Sequence, residues 1–316
     1  MIESPILSML GIRYPIFQGG MAWIADGKLA AAVSEAGGLG IISAMNTGAA
    51  HLREQIAVAR SLTDKPFGVN LMLMSPCADE LAAVIAEERI RVVTTGAGSP
   101  AKYMPMWRAA GVTVIPVIAS AAMARMMEKA GAAAVIAEGQ ESGGHIGEMT
   151  TMALVPQAAD AVSIPVLAAG GIADGRGMAA ALMLGACGVQ MGTRFLVAEE
   201  CSVHPVYKEM VLSASDISTV TTGRRFGGNV CRSLKNPFTR NFLKLEYAPD
   251  ATAESVAELG VGALRRAALD GDRETGCFLA GQISGMVKKE MSAAEIVREV
   301  AEDCEKLLRG AASWVK

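Results

Sequence analysis

The sequence predicts an α/β protein whose centre is a closed (β/α)8 TIM barrel with an appended C-terminal helical region, and three observations predict it. From residue 14 to residue 195, short apolar runs alternate with Ala-rich helical stretches, each pair separated by a Gly- or polar-marked turn. The runs are continuously apolar, as strands covered on both faces are, and eight of them in strict alternation with helices favour a closed barrel over an open doubly wound sheet. The chain of 316 residues is 51% hydrophobic, carries 34 glycines and only 4% aromatics. That composition suits close helix-on-sheet layers and is long enough for a sizeable core.

Taken in order, the strands fall at residues 14–18, 40–43, 68–73, 92–95, 112–117, 134–137, 166–169 and 188–191. The first ends in Gln18-Gly19-Gly20-Met21-Ala22-Trp23, and the third contains Asn70. These contribute carboxamides and backbone donors at one end of the barrel, with Met and Ala beside them suited to a flat apolar ring. The fourth is followed by Gly96-Ala97-Gly98-Ser99-Pro100-Ala101, which has the spacing of a dinucleotide fingerprint. About 20 positions on, where an acidic ribose partner is required, stand Ile115, Pro116 and Val117, so a Rossmann reading is rejected.

After the sixth strand comes Glu138-Gly139-Gln140-Glu141-Ser142-Gly143-Gly144-His145-Ile146-Gly147. His145 is flanked by glycines at the catalytic end, unlike His51 in a polar helical stretch or His204 before Pro205. Such a loop lets a planar ligand approach the backbone while the imidazole serves as acid, base or donor. The seventh and eighth strands end in Gly170-Gly171-Ile172 and in Met191-Gly192-Thr193-Arg194-Phe195. Glycines at these two positions, a pair at the first and Gly192 at the second, indicate a phosphate held by backbone N–H groups, and hence a phosphate-bearing cofactor.

The barrel is expected over residues 1–198, and a basic segment with a helical region over 199–316, covering the barrel mouth. Residues 217–245 contain Arg224, Arg225, Arg232, Lys235, Arg240 and Lys244 and no acidic residue. The nineteen methionines read mostly as core filler.

Several function classes drop out. A net charge of −3 provides no general field for a nucleic-acid backbone or anionic membrane. The six cysteines have no metal-ligand spacing and read as free thiols in a reducing compartment. No apolar run approaches the ~18 residues of a membrane span and no signal core opens the chain, so a cytoplasmic protein is expected. A Walker loop, a G-x-S-x-G elbow and a zinc signature are all missing from the sequence.

The motifs together resemble a known family. Tyr14-Pro15-Ile16-Phe17-Gln18-Gly19-Gly20-Met21-Ala22-Trp23, Ala36-Gly37-Gly38-Leu39-Gly40, Lys65-Pro66-Phe67-Gly68-Val69-Asn70, Thr94-Thr95-Gly96-Ala97-Gly98, Gly143-Gly144-His145-Ile146-Gly147, Ala168-Ala169-Gly170-Gly171-Ile172 and Gly192-Thr193-Arg194-Phe195 resemble the nitronate monooxygenase superfamily. Within it the chain is most similar to flavin-dependent enoyl-acyl carrier protein reductase II, on the strength of the Thr94 to Gly98 run, Lys102-Tyr103-Met104 and Arg232-Ser233-Leu234-Lys235-Asn236. The resemblance extends from about residue 1 to about 290, through Gly262-Ala263-Leu264 and Ala280-Gly281-Gln282.

What it implies is an FMN enzyme that uses NADH or NADPH to reduce enoyl-acyl carrier protein or enoyl-CoA, as a homodimer. His145 would be catalytic. Gly170, Gly171, Gly192 and Thr193 would hold the FMN phosphate, and Gly19, Gly20, Met21, Ala22, Asn70, Glu138, Gly144, His145 and Met191 would border the rest. Nitronate oxidation with FMN and oxygen is the alternative. The nucleotide preference, acyl chain length and any monovalent-cation requirement stay open. Two departures stand out: Ser43-Ala44-Met45-Asn46 is bulkier than the family's loop, and Gly228-Asn229-Val230-Cys231-Arg232 replaces its Gly-His-Pro-Val-Arg pattern.

Overall fold

A computed structural model of the chain describes residues 2–44, 48–227 and 230–315. Met45 and Asn46 of the departing loop, and Gly228 and Asn229 of the departing tail motif, lie outside the described residues.

The barrel strands are β1 (Ile16–Gln18), β2 (Ile41–Ser43), β3 (Gly68–Met72), β4 (Val92–Gly96), β5 (Thr113–Ile118) and β6 (Val135–Glu138). A two-residue β7 (Gly144–His145) follows outside the ring, and β8 (Val166–Ala169) and β9 (Gly188–Met191) complete it. The order is β1-β9-β8-β6-β5-β4-β3-β2, with every neighbour parallel. The ring closes where Phe17 bridges Leu39, with Gln18 N–H donating to the Leu39 carbonyl at 3.0 Å and Leu39 N–H to the Ile16 carbonyl at 2.9 Å. All eight expected strands are present, their ends displaced by at most two residues. Apolar side chains of the strands pack on both faces, so β1, β2, β8 and β9 are buried throughout.

The intervening helices start where short polar side chains can accept the first free N–H groups. Asp26 accepts from Leu29, Ser120 from Met123, and Asp174 from Arg176 and Gly177. These caps orient the helices against the ring and leave the carboxyl ends of the strands open to loops.

The tail differs from a simple lid. It contains β10 (Thr219–Thr222) and β11 (Cys231–Leu234), which pair antiparallel, and β11 pairs in turn with β7. The final long helix, Ala293–Gly310, lies on the barrel flank against helices Gly27–Glu35 and Gly175–Met183. Tyr207, Phe278, Ile296 and Val300 of the tail share one buried cluster with Ile16, Leu154 and Phe195 of the barrel. Part of the tail thus borders the mouth through the β7–β11 pairing, and part buttresses the side. The amphipathic helix Ala293–Gly310 buries its Ile296, Val297 and Val300 stripe against the flank. No helix among the described residues is long and apolar enough to cross a membrane.

Candidate active site

The loops at the carboxyl ends of the strands converge. After β1, the chain turns through Gly19 and Gly20, and a Cβ on Gly20 would sit 2.2 Å from Cβ of Asn70 on β3. Only a glycine allows this approach of backbone to side chain. Asn70 in turn accepts from the Thr94 hydroxyl of β4 at 3.0 Å. Met21, half-buried beside Ala22, reaches the loop after β9, with its sulfur 3.8 Å from the position of a Cβ on Gly192. Met191, the last residue of β9, is buried beneath it.

Gly170 and Gly171 follow β8 with φ of 85° and 74°. A Cβ on Gly170 would meet the Gly139 carbonyl at 2.7 Å, so this turn packs directly on the histidine loop. The helix Gly175–Met183 is already capped by Asp174. Its N-terminus is therefore not free for an anion. The N–H groups of Gly171 and Gly192, by contrast, have no hydrogen-bond partner among the described residues. Two orphan donors on adjoining turns, without a Cβ on either, fit an anion such as a phosphate. Thr193 stands beside them, its hydroxyl oxygen accepting from Gly281 N–H at 2.8 Å.

Glu138 ends β6 half-buried. Burial pushes its carboxyl up to about 7, and the nearby Ser142 hydroxyl offsets part of the rise, although that hydroxyl makes no hydrogen bond of good geometry. His145 ends β7, with Gly144 buried before it at φ 81°. The imidazole is open to solvent, yet the surrounding protein holds its pKa below the ordinary value by desolvation. Water reaches the side chain, while the neighbouring protein displaces part of its hydration shell.

Every residue expected at the site thus lies at the same end of the barrel. The sequence-based reading departs from the structure in two places, Gln18 and Arg232. Gln18, expected to offer its carboxamide to a ligand, uses it to seal the barrel, accepting from Ile41 N–H at 3.0 Å and donating to the Ile41 carbonyl at 3.3 Å. Arg232, counted among the surface cations, is buried at 7% exposure. Arg194, next to the glycine turn, points away into the interior toward Met291. The other histidines are accounted for elsewhere: His51 is exposed near Glu54, and His204 caps helix Pro205–Leu212.

Gln190 and the Ala280-Gly281 turn pack on two of the site's glycines, a contact the sequence does not reveal. Gln190 supports Gly19 from β9, and a Cβ on Gly143 would meet the Ala280 backbone at 2.6 Å. Their signal, a polar residue inside a strand and an isolated glycine turn, was too weak to separate from ordinary loop chemistry. Two surface clefts of about 720 and 590 Å³ lie at the opposite rim, beside Arg89 and Gly111 and beside Lys65 and Phe67. Those residues precede β3, β4 and β5, the end of a barrel associated with stability and not with chemistry.

FabK from Thermotoga maritima is 48% identical over the whole of both chains, with a TM-score of 0.96. A nitroalkane oxidase from Streptomyces ansochromogenes is 30% identical, covering 97% of this chain and 99% of its own, with a TM-score of 0.86. A (3aS,4S,5R,7aS)-5-hydroxy-7a-methyl-1-oxo-octahydro-1H-indene-4-carboxyl-CoA dehydrogenase from Mycobacterium tuberculosis is 32% identical over 100% of this chain and 99% of its own. A probable nitronate monooxygenase of Staphylococcus aureus is 33% identical over 89% and 91%. The nitronate monooxygenase family model matches residues 3–88 and 78–303. On that match, and on these relatives, the chain belongs to the nitronate monooxygenase family.

Proposed function

We propose that the protein is an FMN-dependent enoyl-acyl carrier protein reductase, converting trans-2-enoyl thioesters to saturated acyl thioesters with NADH or NADPH in fatty acid synthesis. The observation that carries this reading is the 48% identity and 0.96 TM-score to FabK across both whole chains, against 30% and 33% for the nitroalkane and nitronate relatives. The mycobacterial relative, named for a carboxyl-CoA, adds support for a thioester substrate.

FMN, when bound, supplies hydride transfer between a nicotinamide and a conjugated double bond. The orphan N–H groups of Gly171 and Gly192, with Gly170 and Thr193, would hold its phosphate. Gly19, Gly20, Met21, Ala22, Asn70, Glu138, Gly144 and Met191 would border its ring and ribityl chain, Met21 and Met191 supplying apolar contact.

His145 is the proposed catalytic residue. Its depressed pKa keeps the imidazole neutral near pH 7, with one ring N–H to donate. Negative charge develops on the thioester carbonyl as hydride reaches the β-carbon. A donor held at that oxygen stabilises the charge, and the same proton can be delivered to the α-carbon. The physiological substrate would be presented by acyl carrier protein, with enoyl-CoA as its soluble counterpart, and the active species would be a homodimer.

The test is NADH and NADPH oxidation by the purified protein with crotonyl-CoA and longer enoyl thioesters, with and without oxygen. Thioester-dependent oxidation that persists without oxygen is the expected result. Oxygen consumption with alkyl nitronates, and no thioester-dependent turnover, would replace it with nitronate oxidation by the same flavin and His145 as base.

A further inference from the structure

The segment carrying His145 is pinned along its length. Gln140 N–H donates to the Met149 carbonyl at 2.8 Å, and Gln282 N–H donates to the Glu141 carbonyl at 2.9 Å. The Glu141 carboxylate accepts from the N–H and hydroxyl of Thr151, each at 3.0 Å. Ile146 N–H donates to the Val230 carbonyl at 2.9 Å, joining the segment to the tail.

Arg232 is the side chain that locks this junction. Its Nε donates to the Gln140 carbonyl at 3.1 Å and its Nη1 to the Thr219 hydroxyl of β10 at 3.2 Å. Its Cα is in register with Gly144, and the preceding Cys231 is in register with His145. One guanidinium thus spans the start of the histidine segment, β11 and β10. Burying a cation is costly unless its hydrogen bonds are used, and a methionine or leucine could fill the same volume without that cost. What an apolar side chain could not do is hold the Gln140 carbonyl at a set distance from β11.

We infer that Arg232 is a positioning residue for the reaction: through Gln140 and the β7–β11 pairing it sets where the His145 imidazole stands. The inference rests on the reading of His145 as the catalytic group. A misplacement of about 1 Å in such a group can cost on the order of 100-fold in rate.

The experiment compares the flavin-loaded wild type with Arg232→Met, Arg232→Lys, His145→Ala and the Arg232→Met/His145→Ala double variant, using crotonyl-CoA and NADH. Arg232→Met should lower kcat roughly 10- to 100-fold while leaving KM for NADH within about twofold. Arg232→Lys, which keeps one donor, should recover part of the loss. In the His145→Ala background, Arg232→Met should cost little more, because a residue acting through another is silent once that other is gone. Hydrogen exchange over residues 140–147 should accelerate in Arg232→Met, with the barrel strands unchanged.

Equal losses with and without His145, or unaltered kcat and exchange in Arg232→Met, would overturn the inference. Should Arg232→Met fail to fold, Arg232→Lys decides by the same two readouts. A fully active His145→Ala variant would instead remove the role of His145 itself, a result distinct from an active Arg232→Met beside an inactive His145→Ala.

Discussion

His145 reaches the site from a strand paired to the tail, not from a free loop, so its imidazole has a defined direction. Replacing it with alanine should leave flavin content unchanged, since the orphan donors of Gly171 and Gly192 lie on other turns. Turnover with enoyl thioester should fall by ~100- to 10,000-fold, the usual scale of general acid catalysis. Steady-state kinetics with flavin quantitation check both halves. Glu138 provides a pH signature of the same site. Its folded pKa is raised from 4.5 to about 7, so the folded state prefers the protonated carboxyl. That contribution to stability is fully present below about pH 4.5 and is lost as pH rises through about 7. Glu138→Gln cannot ionise, so in flavin-free protein it should gain on wild type between about pH 5 and 8, by up to ~3 kcal/mol. Urea midpoints at several pH values measure the difference, and a constant difference would place Glu138 in an ordinary solvated environment.

At the scale of elements, the tail segment of six cations separates into two groups. Arg232 is buried, and Arg225 is tied down through its Nη1 to the Glu246 and Ala248 carbonyls at 2.8 and 2.6 Å. Glu246 itself, fully buried one position beyond the acid-free stretch, accepts from Gly223 and Arg225 N–H and anchors the turn. Arg224, Lys235, Arg240 and Lys244 remain exposed, and none forms an ion pair among the described residues. An acidic carrier protein or the pyrophosphate of NAD(P)H suits them as a partner. Reversing Lys235 and Lys244 to Glu should lower kcat/KM for one of these more than it lowers kcat. Salt at ~0.5 M should shrink the effect, because the Debye length falls to a few Å. Separate titration of carrier-linked substrate and nucleotide identifies the partner, and unchanged kcat/KM for both at low salt would leave a solvated surface.

At the scale of the whole molecule, the two orphan-donor turns adjoin and would hold one phosphate. The glycine motif after β4, the other candidate for a nucleotide, lacks the acidic partner that an adenosine ribose requires. The purified protein should therefore be yellow and release FMN, not FAD, on denaturation, which chromatography of the supernatant resolves. Colourless protein that takes up no added FMN would contradict the assignment. The shared core of barrel and tail, with Tyr207, Phe278 and Ile296 packed among barrel residues, implies that the two regions unfold together.

The sequence by itself determined the eight strands, the turns that follow them and the end of the barrel at which His145, Gly170, Gly171 and Gly192 gather. Those features are local: an apolar run, its length and the glycine after it are read within a dozen residues, and the right-handed alternation of strand and helix then leaves few ways to arrange them. The two-residue β7, its pairing with β11 and the placement of helix Ala293–Gly310 on the flank were decided only by the tertiary structure. So were the duties of Gln18 and Arg232, because a polar side chain is described in sequence by what it can donate or accept and in structure by what it meets. Gln18 meets a backbone 23 positions away, and Arg232 meets one 92 positions away. Nothing in the local pattern specifies such a partner, since the free energy that selects it comes from satisfying groups which only the folded chain buries together.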